Sequence, residues 1–431
     1  MTYAEAVARI LALRGGERAG MRPGLERIEA MLDAIGRPEQ AFTIAQVGGT
    51  NGKGSISAML AAILQAAGRR VGLYTSPHLA HYRERIRVDG RPISEPDFVD
   101  GVDALGTLIT RLDLTVFEAG TALALDHFCR ERVDVAILEV GLGGRLDATT
   151  VGKPRVVVLG PIDYDHQHEL GDTLTLIAAE KAAIIRSGVA FSARQDPEAE
   201  AVITRRAAEV GVPLALEGRD LRVTPLGFTL DAQRLDLEGP DWRIPDAACG
   251  LLGVYQPGNA LLAAAAAREL GADDGAVRAG LRGARWPGRF QIFRRDPLVI
   301  LDGAHNPAGA RVLAASLRAY FPGRPVSFVI GILGDKDAGG ILAALRPLAS
   351  RFVLTASANP RAVPPDGLRA LLPAAGLRVD TARSPQDALA MATAADPQGI
   401  VCVAGSLSLI GDVLAAAGDG QDVLFTAGAR C

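Results

Sequence analysis

Hydrophobic positions fall into two rhythms along this chain. Short runs of β-branched and apolar residues alternate with longer stretches whose apolar positions recur at helical spacing. That alternation predicts parallel strands joined by helical crossovers. The strand runs cover residues 42–47, 70–74, 133–139, 155–159 and 190–192. Between residues 216 and 244 the rhythm changes to short alternating segments (221–223, 227–230, 234–237) split by turn residues, which predicts a small antiparallel meander. Helical spacing resumes over residues 259–270 and 274–282. Arg285-Trp286-Pro287-Gly288-Arg289 reads as a linker, because Pro and Gly together stop a helix. Beyond it a second α/β rhythm places strands at 298–301, 326–330, 352–355 and 400–403. The boundary is placed near residue 295, giving one domain over 1–295 and a smaller α/β domain over 296–431.

The first strand run feeds Gly49-Thr50-Asn51-Gly52-Lys53-Gly54-Ser55 and then a helical stretch near residues 55–67. A strand, a glycine-rich turn ending in Lys and Ser, and a helix form an arrangement that holds phosphates. The glycines let backbone N–H groups curl toward an anion, and the helix aims the positive end of its dipole at the same point. Lys53 would reach the β- and γ-phosphates of a nucleotide, and the Ser55 hydroxyl a magnesium ion. A surface lysine on an ordinary turn would use the same residues, but here strand, turn and helix stand in the required order. The turn departs from the common P-loop pattern twice: Val47 stands where that pattern has Gly, and Gly54 follows Lys53 where it has Ser or Thr.

Composition narrows the class more than the chemistry. Hydrophobic residues make up 48% and charged residues 22%, ordinary for a globular protein. A net charge of -3 makes no electrostatic case for nucleic-acid binding. Cys129, Cys249, Cys402 and Cys431 are scattered, without metal-ligand or redox-motif spacing. Residues 1–20 spread Glu5, Arg9, Arg14 and Glu17 among apolar positions, a helix pattern rather than a signal peptide. No apolar run approaches the roughly 20 residues needed to span a bilayer. A cytoplasmic enzyme is expected, with no membrane or nucleic-acid partner.

Other residues extend the candidate chemistry. Glu139 ends a buried strand run and precedes Val140-Gly141-Leu142-Gly143-Gly144. A carboxylate at the carboxyl end of a parallel strand lies in the crevice where α/β sheets bind ligands. Its hard oxygens suit magnesium, which takes few protein ligands besides phosphate and water. Asp165-His166 follows the strand at 155–159; a lone His is more often structural than a ligand. Glu180-Lys181 falls on a helical stretch over 173–186, where a lysine is by default solvated. In the second domain Leu301-Asp302-Gly303-Ala304-His305-Asn306-Pro307 ends a strand and opens a helix, with Pro307 suited to the first helical turn. It offers an acid for a ribose and a His for phosphate or substrate, on a domain separate from Lys53, which predicts closure around a nucleotide.

Taken in order, these motifs resemble the folylpolyglutamate synthase/dihydrofolate synthase branch of the Mur-ligase superfamily of ATP-dependent amide-forming ligases. The Gly49–Ser55 turn resembles that branch's variant. Also matching are Thr75-Ser76-Pro77-His78-Leu79, Arg83-Glu84-Arg85-Ile86, Phe117-Glu118, Glu139 with Arg145-Leu146-Asp147-Ala148-Thr149, Asp165-His166, Glu180-Lys181, Gln256 with Asn259, Pro287-Gly288-Arg289, Asp335-Lys336-Asp337 and Gly405-Ser406-Leu407. The resemblance covers nearly the whole chain. It implies a P-loop NTPase-like central domain carrying the meander, followed by a smaller Rossmann-like α/β domain. It also implies that Ser76 and Glu139 hold one magnesium ion, that Glu139 and His166 hold a second, and that Lys181 is carried as a carbamate. By the same resemblance Asn259 contacts adenine and Asp302 ribose, while Arg289 and His305 take phosphates. Pro77 and Phe117 border the pterin, and Arg85 and Ser406 are candidates for the incoming glutamate. Departures from the family pattern are Tyr255, Ala183, Asp163 and Tyr164.

The reaction so implied adds L-glutamate to dihydropteroate, to reduced folates, or to both, through an acyl phosphate made with ATP, in a protein acting as a monomer. Two other readings compete. A Mur-type ligase for a UDP-sugar peptide would place a nucleotide-sugar domain before the P-loop strand, where only about 40 residues stand. A nucleotide-driven switch module would hydrolyse ATP without regard to acceptor or glutamate.

Overall fold

The computed structural model describes residues 1–14, 24–372 and 376–418. It divides the chain into two compact units. The first comprises Met1–Leu226, Arg234–Cys249 and Pro257–Ala284, and the second Gly227–Gln233, Gly250–Gln256 and Arg285–Cys431. Within the N-terminal helical pattern, Tyr3–Leu11 is a helix capped by a Thr2/Glu5 capping box. The rest of that pattern from residue 15 on, and Cys431, lie outside the described residues.

The first unit is built on eight strands: β1 (Thr43–Gly48), β2 (Val71–Tyr74), β3 (Ile86–Val88), β4 (Arg91–Pro92), β5 (Val135–Glu139), β6 (Val156–Leu159), β7 (Val189–Ser192) and β8 (Leu214–Leu216). They lie side by side in the order β4-β3-β2-β5-β1-β6-β7-β8. The pairs from β2 to β8 are parallel, and β3 and β4 add an antiparallel edge. Central strands buried on both faces read as near-continuous apolar runs, as Val-Val-Val-Leu does at Val156–Leu159. The chain leaves β1 for β2 on one side and returns through β5 to β6 on the other. The carboxyl end of β1 thus lies where the strand order reverses, the place where open α/β sheets bind ligands. One core, with Tyr74, Phe98, Phe128 and Leu138, contains helix Val116–Arg130; another, with Leu159, Ile177 and Ile184, contains helix Leu174–Ala182.

A three-stranded sheet follows in the order β11-β10-β9, formed by β9 (Arg222–Phe228), β10 (Gln233–Gly239) and β11 (Trp242–Cys249). This is the predicted meander.

The second unit holds β12 (Gln291–Arg295), β13 (Leu298–Leu301), β14 (Val326–Ile330), β15 (Ala349–Leu354), β16 (Arg378–Thr381) and β17 (Ile400–Ala404), ordered β12-β13-β17-β14-β15-β16. All pairs are parallel except β12 with β13. Its core packs Phe328 on Phe352 between Ile300, Leu313 and Leu354. The fold is therefore the α/β architecture expected, with two parallel-strand sheets and a meander. Among the described residues no helix is long and apolar enough to cross a membrane.

Candidate active site at the carboxyl ends of β1, β2 and β5

The turn after β1 is shaped by two glycines in the left-handed region. Gly49 has φ +124°, and a Cβ there would stand 2.9 Å from the Gly160 carbonyl oxygen. Gly52 has φ +85° and caps helix Lys53–Ala66; a Cβ there would stand 2.6 Å from Asn259 Oδ1. Neither position accepts a side chain. Asn259 is buried, and its amide lies against Gly52. The loop after β6 braces the other side. Thr50 and Asn51 donate N–H bonds to the Pro161 carbonyl at 2.9 and 3.2 Å. Thr50 Oγ1 donates to the Asp163 carbonyl at 3.0 Å and accepts from the Asp163 N–H at 3.0 Å. Gly54 and Ser55 open the helix and are buried.

Two lysines meet at one oxygen of this turn. Lys53 Nζ donates to the Gly49 carbonyl at 3.1 Å and to the Thr50 carbonyl at 3.0 Å. Lys181 Nζ donates to the same Gly49 oxygen at 3.2 Å. Lys181 is not a solvated lysine on a helix face: it is 4% exposed. Helix Leu174–Ala182 turns its Lys181 edge toward the P-loop, while Glu180 beside it pairs with Arg145 at 2.9 Å. Burial, and then the neighbouring Lys53 ammonium, push the Lys181 amine down to about 7. A lysine in that state is partly neutral at neutral pH.

Glu139 ends β5 directly beside Val47 of β1, and its buried carboxylate accepts the Ser76 N–H at 3.2 Å. Ser76, Pro77 and Glu139 thus belong to adjacent strand ends, since β2 pairs with β5. Phe117 is half-buried, with its ring centroid 5.8 Å from that of Tyr74, and it lies against Gly141. Arg85 is buried beneath this loop; its Nε donates to His78 Nδ1 at 2.9 Å and its guanidinium lies 4.8 Å from the Tyr82 ring centroid. His166 precedes helix Gln167–Leu170 with φ 52°, and its ring nitrogens lie 3.9 Å from Asp165 and 4.0 Å from Glu169.

In the second unit Asp302 directly follows β13 and is buried. Its Oδ1 accepts the Ala304 N–H at 2.8 Å; its Oδ2 accepts the Phe290 N–H at 2.8 Å and the Tyr255 hydroxyl at 3.1 Å. Burial raises the Asp302 pKa from its ordinary value, against those bonds and nearby Arg289. Tyr255, a departure from the family pattern, is therefore a built partner of that carboxylate. His305 Nδ1 lies 2.8 Å from the Gly303 carbonyl, and Arg289 Nη1 donates to the Gly288 carbonyl at 3.2 Å. Ser406 caps helix Leu407–Ala416 by accepting the Leu409 N–H at 3.1 Å.

Two carboxylates that shape the site stand inside matched motifs whose sequence assigned them no role. Asp147 is buried and accepts N–H bonds from Gly141 at 3.0 Å, Leu142 at 2.9 Å and Thr149 at 2.9 Å, clamping the glycine tail after Glu139. Glu84 gathers the N–H groups of the loop after Ser76. The Asp-x-Thr spacing at Asp147, and the three-residue interval from His81 to Glu84, are the local signals for these turns. Among the described residues no three His, Cys, Asp or Glu side chains converge as a metal cage. The donors at hand are instead Ser55, Ser76 and Glu139. One carboxylate with hydroxyls suits magnesium, which completes its shell with phosphate and water.

Comparison with known proteins bears on this geometry. The chain matches the Mur ligase middle domain over residues 47–267 and the Mur ligase glutamate ligase domain over residues 288–407. It is 38% identical to dihydrofolate synthase/folylpolyglutamate synthase of Mycobacterium tuberculosis over 87% of this chain and 84% of that one. Crystal structures of Mycobacterium tuberculosis folylpolyglutamate synthase complexed with ADP and AMPPCP superpose with a TM-score of 0.89 at 35% identity, covering 96% of this chain and 99% of that one. A folylpolyglutamate synthase in complex with AMPPCP and folate superposes with a TM-score of 0.85 at 34% identity, covering 97% and 100%.

Proposed function

We propose, from the premise that this chain belongs to the Mur ligase family and to its folylpolyglutamate synthase/dihydrofolate synthase branch, that it joins L-glutamate to dihydropteroate and to reduced folates at the expense of ATP. The observation that carries the reading is the meeting of Lys53 and Lys181 on the Gly49 carbonyl, beside the Glu139 carboxylate. The named relatives bind ADP, AMPPCP and folate, which supports nucleotide and pterin as ligands here.

In this reading a carboxylate oxygen of the acceptor attacks the γ-phosphorus of ATP and ADP leaves. The amine of glutamate then attacks the acyl carbon, loses a proton, and phosphate departs. Acceptor and γ-phosphate are both anions, so the site must supply positive charge where they meet. Lys53 at the head of its helix supplies it, aided by the helix dipole. Ser76 and Glu139 would hold one magnesium ion, Glu139 and His166 a second. Magnesium bound there would neutralise phosphate charge as the phosphoryl group moves. Asn259 would contact adenine. Pro77 and Phe117 would border the pterin, and Arg85 and Ser406 are assigned to glutamate. Arg289 and His305 are assigned to phosphates and Asp302 to ribose. These assignments rest on the family resemblance.

Lys181 is proposed to carry a carbamate. Its neutral amine would attack CO2, form the N–C bond and release one proton to solvent. That step needs the unprotonated amine that burial favours.

The test is ATP-dependent incorporation of labelled glutamate with dihydropteroate and with tetrahydrofolate side by side, alongside phosphate release. Release that requires both acceptor and glutamate is expected. Release indifferent to both would leave a nucleotide-hydrolysing module and end the ligase reading.

A further inference from the structure

The loop after β2 is tied down by a carboxylate that the proposed chemistry does not use. Leu79, Ala80 and His81 give three successive backbone N–H groups to the side chain of Glu84: Leu79 to Oε2 at 2.9 Å, and Ala80 and His81 to Oε1 at 3.0 and 2.7 Å. Successive N–H groups aimed at one point form an anion-binding concavity. Here the chain fills it from its own next turn, Tyr82–Arg85, closed by the Glu84 N–H on the His81 carbonyl at 3.0 Å.

The same stretch is held elsewhere. Ser76 gives its N–H to Glu139 at 3.2 Å, and the side chain of His78 accepts from buried Arg85 at 2.9 Å. Pro77 has no N–H to give. Glu139 anchors one end of the loop and Glu84 the other, with Ser76, Pro77 and His78 toward the Glu139 end. A carboxylate suits this work because both oxygens only accept. A glutamine in the same place would turn an N–H2 group toward at least one of the three donors.

We propose that Glu84 is a positioning residue for the pterin acceptor: by fixing residues 79–81 it sets where Pro77 and His78 stand, while Ser76 is held separately by Glu139. The kinetic consequence rests on the ligase reading above; the tether itself does not. The P-loop takes its bracing from Pro161 and Asp163 on a different loop. Loss of Glu84 therefore disturbs acceptor binding more than nucleotide binding.

The experiment compares the full-length wild type with Glu84→Ala and Glu84→Gln. In ligand-free protein, hydrogen exchange at the amides of residues 79–81 is expected to accelerate about a hundredfold in Glu84→Ala and less in Glu84→Gln, with β1 and the P-loop unchanged. In turnover, the KM for tetrahydrofolate is expected to rise about tenfold in Glu84→Ala while the KM for ATP stays within about twofold. Unchanged exchange at 79–81 would overturn the tether. Faster exchange and a lower Tm with the acceptor KM unmoved would make Glu84 a structural cap and overturn the positioning role. A wild type that ligates no glutamate would overturn the proposed function instead, and the exchange measurement would still decide the tether.

Discussion

The turn after β1 and the turn after β13 follow one plan and bury opposite charges. Each ends a parallel strand, passes through glycine and opens a helix of 14 residues. The first brings two lysine amines onto a single carbonyl oxygen, and burial together with the repulsion of Lys53 pushes Lys181 down to about 7. The second buries one anion, Asp302, whose oxygens already accept from Ala304, Phe290 and Tyr255. Crowded positive charge has an attraction to offer an incoming anion. A carboxylate satisfied from within holds the turn first, and a ribose hydroxyl would reach it only as a further donor. A strand, a glycine turn and a helix are therefore not a site in themselves; the sign and hydrogen-bond state of the buried charge separates the two uses.

The contrast can be broken most sharply at Lys53. Lys53→Ala should lower glutamate ligation by roughly a thousandfold, the scale on which preorganised charge stabilises a transition state. Circular dichroism and thermal melting should show the fold intact. Full activity in that variant would refute the nucleotide assignment. The second turn should fail differently. Asp302→Ala leaves the Phe290 and Ala304 N–H groups and the Tyr255 hydroxyl without their acceptor, so urea unfolding should show a loss of about 3–5 kcal/mol. A change below about 1 kcal/mol would mean the turn does not depend on that carboxylate.

Lys181 gives the comparison a pH axis. Its folded pKa, about 7, lies below that of an unfolded lysine, so the unfolded state binds more protons between the two values. The cost of burying the ammonium is complete below about pH 7 and is relieved as pH rises above it. In CO2-free buffer the stability of the wild type relative to Lys181→Met should therefore grow by on the order of 2 kcal/mol from pH 7 to pH 9. Urea curves that shift in parallel for the two proteins would show that the lysine is not buried as a strained cation. The smallest effect belongs to Tyr255→Phe. It removes one neutral donor from Asp302 and should cost about 1 kcal/mol, read as a lower urea midpoint with unchanged slope.

Much of the fold was legible from periodicity. The run at 155–159 became Val156–Leu159, that at 326–330 became Val326–Ile330, and the meander appeared where alternation shortened. The helix over 173–186 proved shorter, ending at Ala182, because the chain then enters the turn that buries Ile184 and Ile185. The strands Ile86–Val88, Leu214–Leu216 and Gln291–Arg295 carry little local signal. They are short edge or near-edge strands, and pairing with β2, β7 and β13 makes them strands. Charged Arg294 and Arg295 mask the last of them, which lies on the edge of its sheet.

The sequence by itself determined the glycine-rich turn between strand and helix, its two departures from the common P-loop pattern at Val47 and Gly54, and through the ordered motifs the ligase family. Those features are local: glycines at special φ, a Lys at a helix head, an acid at a strand end. The tertiary structure alone decided that Lys181 lies against Gly49, 132 residues away in the chain, and that Glu139 stands level with Val47. It likewise decided that Asp302 is answered by Tyr255. Burial and hydrogen-bond partners set what a charged group does, and both are supplied by segments that sequence spacing does not bring together.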